Sequence, residues 1–368
     1  MAFGLFKKKE KQEKKSGSHY FDLTVKEIRK ETKDAITLVF EQCDPPISYE
    51  SGQFLTLIAN IDGKEVRRAY SLCTSPFVEM DLAVTIKRVE NGLMSNWLPD
   101  HLKEGDTLKV MEPMGHFTTA YHVDKKRHLV LFAGGSGITP MLSIIKSLLI
   151  KEPKSIVSLI YANRDIDSII FKDELEQWQI QYSGRLHVIH VLDNAPMNWQ
   201  GYSGLLNHTM LTELFERIPE WGKEDTFYLM CGPEGMMKNV ESLLGQRNIE
   251  KEKIFKESFV QGTLKPSPSA QPLEGEKKAH DVTILYDGQE IKITVEPGRK
   301  ILETALDLGY DLPYSCQSGL CTACRGRAIS GKVKLDEEDG LTPAELAEGY
   351  VLTCVGHPLT DDVIIEIG

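Results

Sequence analysis

Hydrophobic and polar positions change rhythm several times along the chain. From about Tyr20 to Phe117, short alternating runs (FDLTV, AITLVF, QFLTLIA, LAVTIKRV, TLKVMEP) are separated by turn residues. A period of two over so many short segments predicts an antiparallel β-barrel. From His128 to about Phe259, continuous apolar runs (HLVLFAG, SIVSLIYAN, LHVIHVL, TFYLMCG) alternate with amphipathic stretches such as TPMLSIIKSLLIKE, which predicts βαβ units around a parallel sheet. The segment TLKPSPSAQPLEGEKKA has no apolar period and reads as a flexible linker. The last block opens with VTILYDGQEIKITV, a hairpin turning through Asp287-Gly288, and continues with KILETALDLGYDLPYSC, a helix leading into a loop. The expected organisation is a multidomain chain with a tail over 1–18, a barrel over 19–122, an α/β nucleotide-type domain over 123–262, a linker over 263–279 and a small terminal domain over 280–368.

Composition agrees with several cores: 368 residues exceed what one core supports, and 41% hydrophobic with 26% charged residues describes an ordinary soluble protein. The start, MAFGLFKKKEKQEKK, places its lysines after a very short apolar stretch, so no secretory signal is expected and a cytoplasmic address follows. Stable disulfides are then not expected. Phe3, Leu5 and Phe6 ahead of the lysines suit either a solvated tail or contact with an anionic membrane, and the shortness of the apolar part points to the solvated tail. Charge is concentrated at the other end. Residues 281–368 carry 16 acidic and 7 basic side chains, a net of −9 out of −11, leaving the rest nearly neutral. Nucleic acid is not expected as a partner, whereas an acidic terminal module suits docking to a basic patch on another protein, with solubility alone as the alternative.

The terminal block also holds the chemistry most specific to this sequence. Cys316, Cys321 and Cys324 are spaced C-x4-C-x2-C, and Cys354 follows after 29 residues. Structural zinc usually pairs two C-x2-C hooks, and here only Cys321 and Cys324 form one. Three ligands in one loop with a distant fourth is the plant-type [2Fe–2S] spacing, with zinc or four free thiols as alternatives. The block resembles the plant-type ferredoxins over nearly its whole length. That resemblance implies an α+β, β-grasp domain in which all four cysteines bind iron and one electron is carried at a time.

In the barrel block, RRAYSL places Arg68 and Tyr70 on one side of an extended run, a cationic fork beside a flat aromatic that suits a diphosphate next to a ring system. A cross-strand aromatic with a surface arginine is the plainer alternative. Downstream, Gly92-x-x-Ser95 in VENGLMSNWLPDHL stands where a strand turns into a helix and offers N–H groups and a hydroxyl to a phosphate, or simply caps the helix. In the middle block, LVLFAGGSGITPM runs a strand into Gly134, Gly135, Ser136 and Gly137 and then a helix with Thr139 and Pro140 in its first turn. Such glycines let backbone approach a pyrophosphate at a helix start, although the G-x-G-x-x-G form is absent. YLMCGPEGMM ends another buried strand at Cys231-Gly232-Pro233; a structural core cysteine is its plainer reading.

Together, R-x-Y-S, G-x-x-S, PMGHF and G-G-S-G-I-T-P resemble the ferredoxin–NADP reductase superfamily. With the terminal ferredoxin block, the chain resembles the reductase components of the phenylacetyl-CoA epoxygenase type from about Phe21 to the end. The resemblance implies that Arg68 and Ser95 hold the FAD pyrophosphate, that Tyr70 and Ser71 face the isoalloxazine, and that Ala69, Lys87, Gly92 and Met94 complete the cofactor-binding set. It further implies that Cys231 sits beside the nicotinamide, and that Glu257 and Phe259 lie next to the flavin, with core packing as the alternative for Phe259. Ser71, Cys231 and Glu257 are its implied catalytic residues.

Coenzyme choice rests on YANRDIDSIIFKDEL, where Arg164 with Ser168 suits a 2′-phosphate and Asp165 suits a ribose diol, with a solvated loop as the plainer alternative for all three. An arginine facing a phosphate points to NADPH, with NADH as the alternative. The expected function is transfer of electrons from NADPH through FAD and a [2Fe–2S] cluster to a protein acceptor docked on the acidic ferredoxin domain, a di-iron oxygenase, hydroxylase or desaturase. The alternatives are a stand-alone diaphorase or quinone reductase, a reductase for a Rieske-type oxygenase or another metalloprotein, and a non-catalytic flavin- or nucleotide-binding sensor.

Overall fold

The computed structural model describes residues 19–259, 277–338 and 340–367. The lysine-rich tail and most of the predicted linker lie outside these residues.

The first block forms the strands β1 (Tyr20–Lys30), β2 (Ala35–Phe40), β3 (Phe54–Ile61), β4 (Lys64–Ser71), β5 (Leu82–Lys87) and β6 (Thr107–Met111), with helix α1 (Leu93–His101) between the last two. They make an antiparallel sheet of order β4-β3-β6-β1-β2-β5. An isolated bridge between Leu72, just past β4, and Val84 of β5 brings the two edge strands together and closes the barrel. Its centre is apolar, with Leu38, Phe40, Leu55, Leu57, Val84 and Ile86 fully buried.

The second block alternates β7 (His128–Gly134), α2 (Ile138–Lys151), β8 (Ile156–Asn163), α3 (Lys172–Gln181), β9 (Leu186–Leu192), β10 (Tyr202–Ser203), α4 (His208–Phe215), β11 (Thr226–Cys231), α5 (Glu234–Gln246) and β12 (Ile254–Glu257). All neighbours in the sheet β10-β9-β8-β7-β11-β12 are parallel. Every residue of β7 is buried, as expected of a central strand covered on both faces. Strand order reverses between β7 and β11, so the carboxyl ends of these two strands frame the crevice where doubly wound sheets take their ligands. The helix predicted as amphipathic, α2, is buried around nearly its whole circumference, from Ile138 to Leu149. The barrel covers its second face: Ser143 Oγ donates to Thr74 O at 2.5 Å, the Ser147 and Ser75 hydroxyls are 2.8 Å apart, and Lys146 pairs with Glu79.

The last block contains β13 (His280–Tyr286), β14 (Gln289–Val295), α6 (Ile301–Asp307), β15 (Arg325–Ser330), β16 (Val333–Leu335), α7 (Pro343–Ala347), β17 (Tyr350–Leu352), β18 (Gly356–Pro358) and β19 (Val363–Ile367). The β13–β14 hairpin turns through Asp287 and Gly288, both at positive φ, the turn this dipeptide favours. The mixed sheet runs β14-β13-β19-β15-β17, with β16 and β18 as a separate pair. Helix α6 is short, and the chain beyond it passes through Gly309 at φ 86° into the cysteine loop.

Candidate functional site

The crevice between β7 and β11 is shaped by glycines that no other residue could replace. A Cβ on Gly137 would stand 2.0 Å from the Cys231 carbonyl oxygen, and one on Gly134 would stand 2.5 Å from Pro233 Cδ. A Cβ on Gly232 would reach the Gly134 amide nitrogen at 2.8 Å. The two strand ends are therefore packed backbone to backbone. Gly135 and Ser136 remain half-exposed at the start of the 14-residue helix α2, and Gly135 takes φ +52°. Backbone N–H groups and the positive helix end there suit a pyrophosphate. Thr139 Oγ1 donates back to Ser136 O at 3.0 Å, and Pro140 is buried in the first turn, so both shape the turn from within.

The barrel contributes the facing wall. Arg68 donates to the Arg67 carbonyl at 2.7 Å, and burial pushes the Tyr70 hydroxyl up while Arg68 pulls it partly back. Lys87 places its ammonium over Gly135, 3.3 Å from where a Cβ would stand, and so joins the barrel to the nucleotide turn. Gly92 precedes α1 so closely that a Cβ would lie 2.3 Å from Ser95 Oγ, and Ser95 itself accepts the Val89 amide at 3.3 Å. Met94 is packed in the barrel core. Ala69 is half-exposed on β4 between Arg68 and Tyr70.

Three residues expected to act together do meet. Ser71 ends β4 and donates to Glu257 Oε2 at 3.4 Å, and Glu257 is the register partner of Cys231 across β12 and β11. Burial of the Glu257 carboxyl pushes its pKa up to about 8 against the weaker pull of the Ser71 hydroxyl. Burial first, then Glu257, raise the Cys231 thiol well above its ordinary value. Phe259 follows two residues later and is 39% exposed.

At the carboxyl end of β8 the structure divides the expected coenzyme residues. Arg164 is half-exposed, with Nε on Asp165 Oδ2 at 3.1 Å and Nη2 3.9 Å from Asp34. Ser168 is buried instead: its hydroxyl donates to the Asp165 carbonyl at 2.8 Å and accepts the Asp165 amide at 3.0 Å, closing a capping box. It therefore shapes the turn. Asp34, contributed by the barrel, had no signal in the sequence because it is remote in the chain from β8.

The four cysteines converge. Cys316 lies within hydrogen-bonding reach of Cys321 and Cys354, and Cys354 within reach of Cys324, so the thiols form a continuous chain of contacts. The Cys321 and Cys354 thiols pull Cys316 down toward the thiolate and are themselves pushed up. None is in a disulfide, and among the described residues no group of three His, Cys, Asp or Glu side chains is placed to hold a single metal ion. Thr353 fastens the distant ligand to the loop, its N–H and hydroxyl both donating to the Cys324 carbonyl. Gly319 turns the loop at φ +75°, with Glu337 2.7 Å from any added Cβ. The buried Ser315 hydroxyl beside Cys316 has no partner among the described residues, and the Ser318 amide donates to Cys316 Sγ at 3.4 Å. Four linked thiols ringed by donors fit a [2Fe–2S] cluster, which asks for four thiolates and hydrogen bonds to sulfur.

A last group escaped the sequence reading. Where the ferredoxin block meets the barrel, Tyr20 and Arg67 of the barrel engage Asp311 and Tyr314. The doublet Arg67-Arg68 was its one visible sign.

Known proteins show the same three parts. Residues 22–119 match the oxidoreductase FAD-binding domain, 131–242 the oxidoreductase NAD-binding domain and 284–359 the 2Fe-2S iron-sulfur cluster binding domain. The chain is 35% identical to a component of the 1,2-phenylacetyl-CoA epoxidase of Escherichia coli (strain K12), covering 94% of this chain and 97% of that protein. It is 34% identical to the ferredoxin reductase component of 3-ketosteroid-9-alpha-monooxygenase of Rhodococcus rhodochrous, covering 95% and 97%. In architecture it matches phthalate dioxygenase reductase with a TM-score of 0.58, covering 95% and 98% at 24% identity. No helix among the described residues is long and apolar enough to cross a membrane. Barrel, parallel sheet and cysteine loop thus follow in the order of these relatives, and the chain belongs to the ferredoxin-reductase-type flavoproteins, oxidoreductases that carry FAD-binding, NAD-binding and [2Fe–2S] domains and serve oxygenase systems as their reductase components.

Proposed function

We propose that this chain takes hydride from NADPH and delivers single electrons through its terminal domain to an oxygenase component. When bound, FAD accepts an electron pair and releases it singly, and the [2Fe–2S] cluster carries one electron at a time. The observation that carries the reading is the convergence of Ser71 from the barrel with Glu257 and Cys231 from the parallel sheet.

In this reading the protein's work is alignment. Arg68 and Ser95 hold the flavin pyrophosphate, and Gly134, Gly135, Ser136 and Gly137 bring the backbone of α2 to the nicotinamide dinucleotide. Cys231, uncharged at neutral pH, packs against the nicotinamide without adding charge. Glu257, with its pKa near 8, keeps its proton at pH 7 and leaves the ring contact electrically neutral. Arg164 binds the 2′-phosphate through the edge of its guanidinium not turned to Asp165. Because Asp34 and Asp165 already offset its charge, the preference for NADPH is modest.

The division into domains at 19–122, 123–262 and 280–368 belongs to the same reading, as does docking of the acceptor on the acidic terminal domain. A di-iron oxygenase is the acceptor we favour, since an epoxidase component is among the relatives. Anaerobic mixing with NADPH tests the path: flavin absorbance should bleach first and the cluster's paramagnetic signal should follow. A cluster that stays oxidised while the flavin is fully reduced contradicts the relay.

A further inference from the structure

Strand β4 carries two arginines in succession that go to different places. Arg68 belongs to the proposed flavin site. Arg67, only 6% exposed, reaches the ferredoxin domain, and each of its nitrogens has a partner: Nε donates to Glu65 at 2.7 Å, Nη1 to the Tyr20 hydroxyl at 3.0 Å and Nη2 to Asp311 at 3.1 Å. Its guanidinium also lies over the Tyr314 ring, 4.3 Å from the centroid. The Tyr20 hydroxyl donates to Asp311 at 3.0 Å, closing a triangle between the domains, and the His19 ring stacks on Tyr286 at 5.7 Å nearby.

The ferredoxin residues in this contact are not arbitrary. Asp311 stands five residues and Tyr314 two residues before Cys316, on the segment that runs straight into the cysteine loop. On the barrel side, Arg67 and Ser71 stand four positions apart on one continuous strand. One guanidinium therefore spans the strand that lines the flavin site and the segment that leads into the cluster. A planar, always-charged fork can satisfy three acceptors and stack on a ring at once, which an ammonium cannot.

We propose that Arg67, with Asp311 and Tyr314, is the positioning latch that seats the ferredoxin domain on the flavin barrel and thereby sets the rate of electron transfer from flavin to cluster. The inference rests on the relay reading above. The Arg67 side chain is engaged by Glu65, Tyr20, Asp311 and Tyr314; it acts by fixing the gap, across which one-electron transfer falls steeply with distance.

The test uses the full chain with both cofactors bound and compares wild type with Arg67→Met, Arg67→Lys and the double variant Asp311→Asn/Tyr314→Leu, whose sites are on the ferredoxin side. Cluster content is checked by its paramagnetic signal after dithionite reduction. In rapid mixing with NADPH, flavin bleaching should stay within about twofold of wild type while cluster reduction slows by about tenfold or more, since small misplacements of reacting groups have effects of this size. Arg67→Lys should not restore it. X-ray scattering should show a more extended particle for Arg67→Met and for the double variant, a change independent of turnover. Wild-type cluster reduction and an unchanged scattering profile in the double variant would overturn the latch, as would loss of flavin in Arg67→Met. A relay failure differs, because the cluster would then stay oxidised in the wild-type chain.

Discussion

The Ser71 hydroxyl, at the end of a barrel strand, donates to the Glu257 carboxyl, at the end of the last strand of the parallel sheet, across 3.4 Å. Residues separated by most of two domains thus share one site, and burial raises the pKa of the acid among them to about 8.

That acid makes stability depend on pH. Because the folded pKa is raised above that of a free glutamate, the folded state holds a proton that the unfolded state has lost between about pH 4.5 and 8. This contribution is present at low pH and fades as pH rises through that window. Glu257→Gln should flatten the decline in melting temperature between pH 5 and 8 relative to wild type. Parallel pH profiles for the two chains would remove Glu257 from this role.

Gly137 against the Cys231 carbonyl gives a second expectation. A methyl 2.0 Å from that oxygen cannot be accommodated without moving β7 from β11. Gly137→Ala should cost about 1–3 kcal/mol of stability and weaken coenzyme binding, with flavin content retained. Thermal unfolding together with the Michaelis constant for NADPH checks this; unchanged values of both would mean that the crevice is looser than the structure shows.

Much of this was legible beforehand, and the exceptions have physical causes. The C-x4-C-x2-C loop, the Asp287-Gly288 hairpin and the glycine turn after β7 are local patterns whose geometry follows from adjacent residues. Helix α2 reads as amphipathic because Ser143, Lys146 and Ser147 are polar, yet those residues face the barrel, and no local period reports a domain interface. Ser168 looked available for a phosphate, but its hydroxyl closes the turn with Asp165. Arg67 and Asp311 pair across 244 residues, a separation at which only the fold makes them neighbours.

Coenzyme preference follows from Arg164 between Asp165 and Asp34. Arg164→Ala should lower kcat/KM for NADPH several-fold, as expected for a solvent-screened charge-assisted bond, while leaving NADH nearly unchanged. Steady-state rates with both coenzymes decide it; equal losses would assign Arg164 to the fold.

In the proposed relay, electrons leave through the cluster and not from the flavin directly. Replacing Cys324 with serine puts a hard oxygen where iron requires thiolate and should impair or abolish the cluster. The decisive measurement compares NADPH-dependent reduction of ferricyanide, which takes electrons from flavin, with reduction of cytochrome c, a one-electron protein acceptor, in the same Cys324→Ser preparation. Ferricyanide reduction should persist near the wild-type rate while cytochrome c reduction collapses; cytochrome c reduction as fast as wild type in a preparation shown to lack the cluster would contradict the relay.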